Sequence, residues 1–576
     1  MKQILYSVFS PSELARGAME FGVALLLTAI ICFLVYRNPR ATAQFDDWIN
    51  RARGKRIVPA ILFSMLLPLV VRVALLPILP PPRPVVHDEF GHLLVSETLE
   101  AGRLANPPHP LWKHLETIYV IQQPHYASNY PIGQGIMLAA GKIIFGNPWA
   151  GVLLSTMLMC GAITWMLYGC LPPAWAAIGG ALTAAGLGLK PEWLNSYWGG
   201  AFCAFGGALL FGALCRLWKS PSIGMAAIAG LGWAIVWLTR PFESVFLCLF
   251  LWAVIAAVFF RNIAGWRKWL APVAVIVCLQ LSAGGVSLLH NHAVTGSYTT
   301  LPYQLGQKLY GGPQSLMWQK PIPEPPMRYA ELKAVYAWQR EGKDFTAAHP
   351  IRRWASFVGT VWSFFVTPWY SLPLLVALLF VFKDRLVLLA SALVLFALVV
   401  AILFPFFFPH YFAAYTCVIV FLIASGTGRL YQWKFRGRAV GAVLALFLMS
   451  GGLMMAMRIV PARTLLRMPP ARPTSYRPFA EDELLKIPGQ HVVFVRYGPE
   501  HSFLDEWVYN GADIDGARII WMRATDPADQ AEVTRYYPGR HFWIADVDRD
   551  TARMAPYRPD LPEEVDRSEG WIWKSP

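Results

Sequence analysis

Apolar runs near the length of a bilayer crossing recur through this chain, and they constrain its fold more than any other feature. A helix that spans the hydrocarbon core needs roughly 20 apolar residues. Candidate spans lie near 18–36, 57–79, 149–171, 174–189, 196–217, 223–239, 242–260, 269–289, 366–382, 386–404, 410–425 and 439–457. Only 15% of the 576 residues are charged, against about 25% in ordinary soluble domains. The sequence therefore predicts a polytopic α-helical membrane protein with about twelve transmembrane helices.

The charge pattern orients those helices. The formal net charge is +15, which in a soluble domain would raise nucleic-acid binding. Here the excess sits in short loops: 37–56, Arg216 with Lys219, Arg261 with Arg267 and Lys268, Lys383 with Arg385, and Arg429 to Arg438. Counted span by span, these loops fall on one side, which the positive-inside rule makes cytoplasmic. No basic stripe with interleaved aromatics marks a soluble segment, so no nucleic-acid partner is expected. The loops 80–148 and 290–365, and the tail from Arg458, then face outward, with all twelve histidines in or beside outward segments. The eight cysteines lie in or next to apolar runs without a CxxC pair, which suits packing thiols rather than a metal or redox motif.

Three parts follow. Residues 1–56 hold an extra N-terminal helix and a basic cytoplasmic loop. Residues 57–457 form a transmembrane module with two polar loops, and 458–576 a soluble domain. In the first polar loop, Glu89 to Arg103 and Gln134 to Phe145 read as short helices. In the second, Ala330 to Glu341 is helical and Trp354 to Phe365 an interfacial helix before Pro368. The tail offers apolar strands at 491–495, 517–521 and 541–545 with helical stretches between, the pattern of a small α/β unit with a parallel sheet.

The chemistry concentrates at Val86-His87-Asp88-Glu89, at the outer end of a span and the start of a structured loop. Ionised carboxylates beside a membrane are costly unless hydrated, paired or coordinated. The pair reads either as catalytic acids or as carboxylates favouring a helix N-terminus. Asp88 and His92, four residues apart, share a helical face, so Glu89 and His92 are candidate ligands of a divalent metal ion. Two DxD strings stand in the tail, Asp513-Ile514-Asp515 and Asp546-Val547-Asp548, the second directly after a predicted strand. The run Glu506 to Asn510 is aromatic and polar enough to bind sugar or simply to pack.

The order of several motifs resembles the GT-C glycosyltransferases that use polyprenyl-phosphate sugars, the group of the protein O-mannosyltransferases and the lipid A aminoarabinose transferases. The resembling residues are Asp88-Glu89, Ala101-Gly102-Arg103, Tyr130-Pro131-Ile132-Gly133 leading to Phe145-Gly146, and Thr239-Arg240-Pro241, within 57–460. Many members carry a double proline where this chain has Tyr130-Pro131-Ile132. The resemblance implies transfer of a sugar from a polyprenyl-phosphate donor to a lipid, glycan or protein acceptor at the periplasmic face of an inner membrane. It makes Asp88 the base and Glu89 a second catalytic or metal-binding acid. Such a donor needs a cation for the phosphate and a base for the acceptor proton. Arg240 is the first candidate cation, with Lys190 and Lys308 behind it. Tyr310, His410 and Tyr411 are candidate substrate contacts. Direct displacement with one base predicts inversion at the anomeric carbon. A transporter or lipid flippase and a non-enzymatic envelope scaffold are the competing classes. A transporter predicts repeated halves and mid-membrane charges, which the sequence lacks.

Overall fold

The computed structural model describes residues 11–37, 47, 57–261, 265–461, 464, 473, 475–557 and 570–574. Most of the basic loop 37–56, and Arg463, Arg467, Pro469, Pro470 and Arg472 of the linker, lie outside the described residues. The described chain forms two compact units, one within 1–82, 149–285 and 348–470, the other within 83–148, 286–347 and 471–576.

The first unit is helical. Among the described residues of the whole chain, eight helices are long and apolar enough to cross a membrane, among them Ile57–Ala74, Pro148–Cys170, Arg385–Leu403 and Pro409–Gln432. The expected spans near 196–217, 223–239 and 242–260 fall on the helices Ala201–Leu217, Ile223–Thr239 and Pro241–Arg261, of 17, 17 and 21 residues, and 174–189 falls on the 14-residue helix Pro173–Gly186. Eight of the expected crossings thus meet the criterion of length and composition among the described residues, and the other four are helices too. The interfacial helix expected at 354–365 also differs. It begins at Pro350 and passes through a wide turn, Trp362–Val366, into the helix Thr367–Leu378. Together these form one 29-residue apolar stretch.

Lipid-facing and inward helices differ in composition as solvation requires. Ile57–Ala74 leaves Val58, Phe63 and Val70 more than half exposed, the surface expected where acyl chains replace water. Thr416–Gln432 is buried almost throughout. Close approach between inward helices depends on small residues. A Cβ at Gly426 would stand 1.8 Å from the Pro373 carbonyl oxygen, and one at Gly232 would stand 2.6 Å from that of Gly206. Arg72, fully buried in Ile57–Ala74, donates to Asn195 Oδ1 (2.8 Å) and to the carbonyls of Leu79 (2.6 Å) and Pro80 (2.9 Å), and lies over the Trp149 ring. It ties the free carbonyls after the helix, a structural use of a charge that would otherwise be prohibitive.

In the second unit the tail is joined by segments of the two polar loops. Its sheet has five strands in the order β4-β3-β5-β6-β7: β3 His491–Tyr497, β4 Ile519–Arg523, β5 His541–Val547, β6 Thr551–Pro556 and β7 Trp571–Lys574. β3, β4 and β5 are parallel, as expected; β6 and β7 add on antiparallel. Tyr476, Ala480, Leu484 and Trp507 cover one face. Leu94, Leu111, Leu115, Val120 and Tyr126 of the first polar loop pack with Val492, Phe494 and Ile544 on the other. A parallel sheet needs both faces covered, and the first loop supplies the second layer. That loop also carries the small pair β1 Val120–Ile121 and β2 Ala127–Ser128.

One buried cation fastens all three segments. Arg523, 2% exposed, donates from Nε to the Glu116 carbonyl (2.7 Å), reaches Glu331 Oε2 at 3.3 Å, and pairs with the buried Glu506. Glu506 also accepts from the Tyr497 hydroxyl and the Val508 amide. Burial opposes the charge on Arg523, but the neighbouring Glu506 wins and holds its pKa above the ordinary value. The run Glu506 to Asn510, a sugar-binding candidate by sequence, is therefore core: Trp507 and Val508 are wholly buried.

Candidate active site

The carboxylate pair opens the helix His87–Glu100, whose N-cap Val86 is extended. The two acids have different surroundings. Glu89 is buried, and its Oε2 accepts the backbone N–H of Val85 (2.9 Å) and of Val86 (3.2 Å). It satisfies amides that a helix start leaves without intrahelical partners. Asp88 is partly exposed; its Oδ1 accepts from the Tyr130 hydroxyl and lies 3.4 Å from His87 Nε2. Of the two, Asp88 alone presents a reachable carboxylate beside a proton-bearing partner.

Tyr130 comes from the loop before the helix Ile132–Phe145, which packs directly on His87–Glu100. Two glycines permit the approach. A Cβ at Gly91 would fall 2.7 Å from the Tyr130 ring, and one at Gly135 would fall 2.3 Å from Val95. His92, buried, lies with its ring 4.5 Å from that of Tyr130. Asp88 and His92 thus share a helical face, as the spacing predicts, and Tyr130 meets both.

An aromatic wall surrounds this corner. Tyr119 meets His87 at 5.0 Å, Tyr130 at 5.7 Å and Tyr336 at 6.5 Å between ring centroids. Tyr119 has φ +61°, a conformation that costs a non-glycine residue of order 1–3 kcal/mol and clusters at functional sites. Tyr310 stacks on Tyr336 at 5.7 Å; burial first, then Glu116, holds its hydroxyl well above the ordinary pKa. Tyr303 is pushed up to about 12 by burial, with the charge of Asp88 adding to the effect. These phenols are neutral hydrogen-bonding groups at any physiological pH. Tyr119, Tyr130, Tyr303 and Tyr336 are not site candidates by sequence. The signal available was Tyr130-Pro131-Ile132-Gly133, read there as a helix start and a motif of the resemblance, with no role given to the Tyr130 side chain.

The remaining candidates divide between the units. Lys308, exposed, ends the helix Pro302–Tyr310, which the sequence reading missed despite Pro302 at its first position and Gly311 after its last. In the membrane unit, Arg240 separates the helices Ile223–Thr239 and Pro241–Arg261, with its guanidinium 4.6 Å over the Tyr411 ring. His410 is buried, edge-on to Trp198 at 5.5 Å and to Tyr411 at 4.8 Å. Arg240, His410 and Tyr411 thus form one cation–aromatic group. Lys190 is engaged elsewhere: its Nζ donates to the Phe364 carbonyl (3.2 Å) and sits over that ring.

The metal expectation for Glu89 and His92 does not fit this geometry. Among the described residues no group of three or more His, Cys, Asp or Glu side chains is placed to hold a metal ion. The Glu89 oxygen nearest the helix start is taken by two amides. The first DxD string is structural as well. Asp515 Oδ1 accepts from the Tyr537 hydroxyl (2.5 Å) and lies 3.0 Å from His109 Nε2.

No family model matches the sequence, and no curated protein matches it. Among solved structures, the chain is similar to ArnT from Cupriavidus metallidurans in the apo state, at 13% identity and TM-score 0.46, over 84% of this chain and 92% of that one. The undecaprenyl-phosphate complex of ArnT matches at 14% identity and TM-score 0.45, with the same coverage. The Archaeoglobus fulgidus oligosaccharyltransferase tethered to an acceptor peptide matches at 11% identity and TM-score 0.46, over 88% and 70%.

Proposed function

We propose that this chain is an integral-membrane glycosyltransferase of the GT-C type. It moves a sugar from a polyprenyl-phosphate donor to an acceptor on the outer face of the membrane, with inversion at the anomeric carbon. The observation that carries the reading is Asp88: a partly exposed carboxylate, hydrogen-bonded by Tyr130 and flanked by His87, in a polar unit whose loops interrupt a series of membrane-length helices. Asp88 accepts the acceptor hydroxyl proton as the oxygen attacks the anomeric carbon, and the phosphate leaves with the bonding pair. Phosphate is a good leaving group once its charge is balanced, so one base and one cation suffice. Arg240 is the cation assigned to the phosphate, because a guanidinium meets two oxygens at once. Glu89 shapes the helix start and holds Asp88 in place. Tyr130 donates to Asp88 and keeps its carboxylate aimed.

The test is sugar transfer by the purified full chain from synthetic polyprenyl-phosphate sugars. Asp88→Asn is expected to lower kcat by about 10²–10⁴ while donor binding persists. Normal transfer by the variant would remove Asp88 as the base. A product of retained configuration would remove direct displacement, and wild-type inactivity with every such donor would favour a transporter or scaffold.

A further inference from the structure

The second DxD string lies at a place in the sheet where α/β folds receive ligands. β3 is the first parallel strand in the chain and the middle one in space, with β4 on one side and β5 on the other. From the end of β3 the chain leaves toward β4, whereas from the end of β5 it turns the opposite way into β6. The two strand ends part there, and the crevice outside the carboxyl ends at such a switch point is the usual ligand position of open α/β sheets. A cavity of ≈ 550 Å³ opens at this point, lined by Arg496 and Gly498 of the β3 end, Asp546 and Asp548 of the β5 end, and Arg553 and Lys574 of the two outer strands. Small-molecule sites have volumes of about 300–1,000 Å³.

Strand register shows how the lining is organised. Arg496 pairs with Asp546, and Asp546 with Arg553, so one row across three strands reads cation, anion, cation. The next row on the same face holds Gly498, Asp548, Thr551 and Lys574. Further back along this face, Phe494 and Ile544 belong to the core. The face thus changes from core to charge within one pleat.

Glycine is required at the corner. A Cβ at Gly498 would lie 2.3 Å from Asp548 Oδ2 and 2.6 Å from its carboxyl carbon. With glycine, the Asp548 carboxylate folds over the end of β3, and the Gly498 amide donates to Val547 O at 2.8 Å. Asp546 is balanced by Arg496 at 2.6 Å. Asp548 Oδ1 accepts the Arg549 amide at 2.7 Å, which leaves Asp548 Oδ2 as an acceptor and Arg553 and Lys574 as cations in one cavity. An anion alone would meet the cations but would face the Asp548 charge. A neutral polyol would satisfy Asp548 but leave two cations unmatched. A ligand carrying both hydroxyl donors and one acidic group satisfies all three.

We propose that this crevice binds a saccharide bearing a phosphate or carboxylate, with the acid held by Arg553 and Lys574 and a hydroxyl donated to Asp548. Asp88 is not among the residues lining the cavity, and the proposal does not depend on the transfer reaction.

The experiment is calorimetric titration of the full-length protein with glucose 6-phosphate, glucose, inorganic phosphate and the octyl phosphodiester of the same sugar, each with and without Mg²⁺. Glucose 6-phosphate is expected to bind at least tenfold more tightly than glucose or inorganic phosphate, without need of Mg²⁺. Asp548→Asn, Arg553→Gln and Gly498→Ala are each expected to weaken it at least tenfold, with the thermal unfolding of the variants unchanged. Tighter binding of the octyl diester would assign the site to the glycan end of a lipid, and equal binding to a free saccharide. The proposal is overturned if glucose 6-phosphate does not bind, if inorganic phosphate binds as well as the sugar phosphate, if binding requires Mg²⁺, or if the folded variants bind like wild type.

Discussion

Replacing Arg523 by Met tests how the polar unit is held together. The side chain is 2% exposed, and its partner Glu506 is 3% exposed. With Met in place, Glu506 keeps the Tyr497 hydroxyl and the Val508 amide but loses its countercharge. The Glu116 carbonyl loses a 2.7 Å donor at the same time. Breaking a buried pair from one side costs about 3–5 kcal/mol, because the remaining charge is stranded. That is a large share of the roughly 5–15 kcal/mol that holds a domain. Hydrogen exchange of the β3 amides in the full-length protein reads the effect directly, since β3 is the central strand of the sheet. The loss corresponds to a fall in protection of about two to four powers of ten. The double variant Arg523→Met with Glu506→Gln removes both charges and is expected to recover most of the loss, as apolar or neutral replacements of buried pairs do. Protection within tenfold of wild type in the single variant, or a double variant no better than the single, would refute the reasoning.

Other outcomes follow from the same coordinates. Tyr130→Phe removes the donor to Asp88 and is expected to lower kcat about tenfold with donor KM little changed; an unchanged kcat would count against its positioning role. Gly426→Ala places a Cβ 1.8 Å from a backbone oxygen, so the helices must separate. A loss of about 1–3 kcal/mol or more should lower the thermal midpoint of the detergent-solubilised protein, and an unchanged midpoint would contradict the packing. Burial, foremost, pushes the Asp505 carboxyl up to about 6. The folded state therefore holds a proton that the unfolded chain releases near its ordinary lower pKa, and stability from this group falls as pH rises through about 6. Asp505→Asn should gain thermal stability over wild type at pH 7.5, with the advantage shrinking toward pH 5. A constant difference across that range would dismiss the burial argument.

Much of this protein is set by local chemistry and is visible along the chain. Apolar runs cannot be solvated by water, so the membrane helices appear as composition. The parallel strands at 491, 519 and 541 appear because a sheet covered on both faces must be apolar throughout. Asp88 is visible as a charge at the end of a span. What sequence order does not carry is which distant segment meets which. Glu89 and Asp88 are adjacent, yet one caps a helix and the other faces Tyr130, forty-two residues on. Nothing in the tail's own sequence shows that Leu94 and Tyr126 pack with Val492 and Phe494. Glu116, Glu331 and Glu506 are unremarkable glutamates until Arg523 gathers them. Local propensity and solvation depend on neighbours in sequence, so the sequence determines them. Pairing of buried charges and closure of a core depend on neighbours in space, and only the tertiary structure decides those.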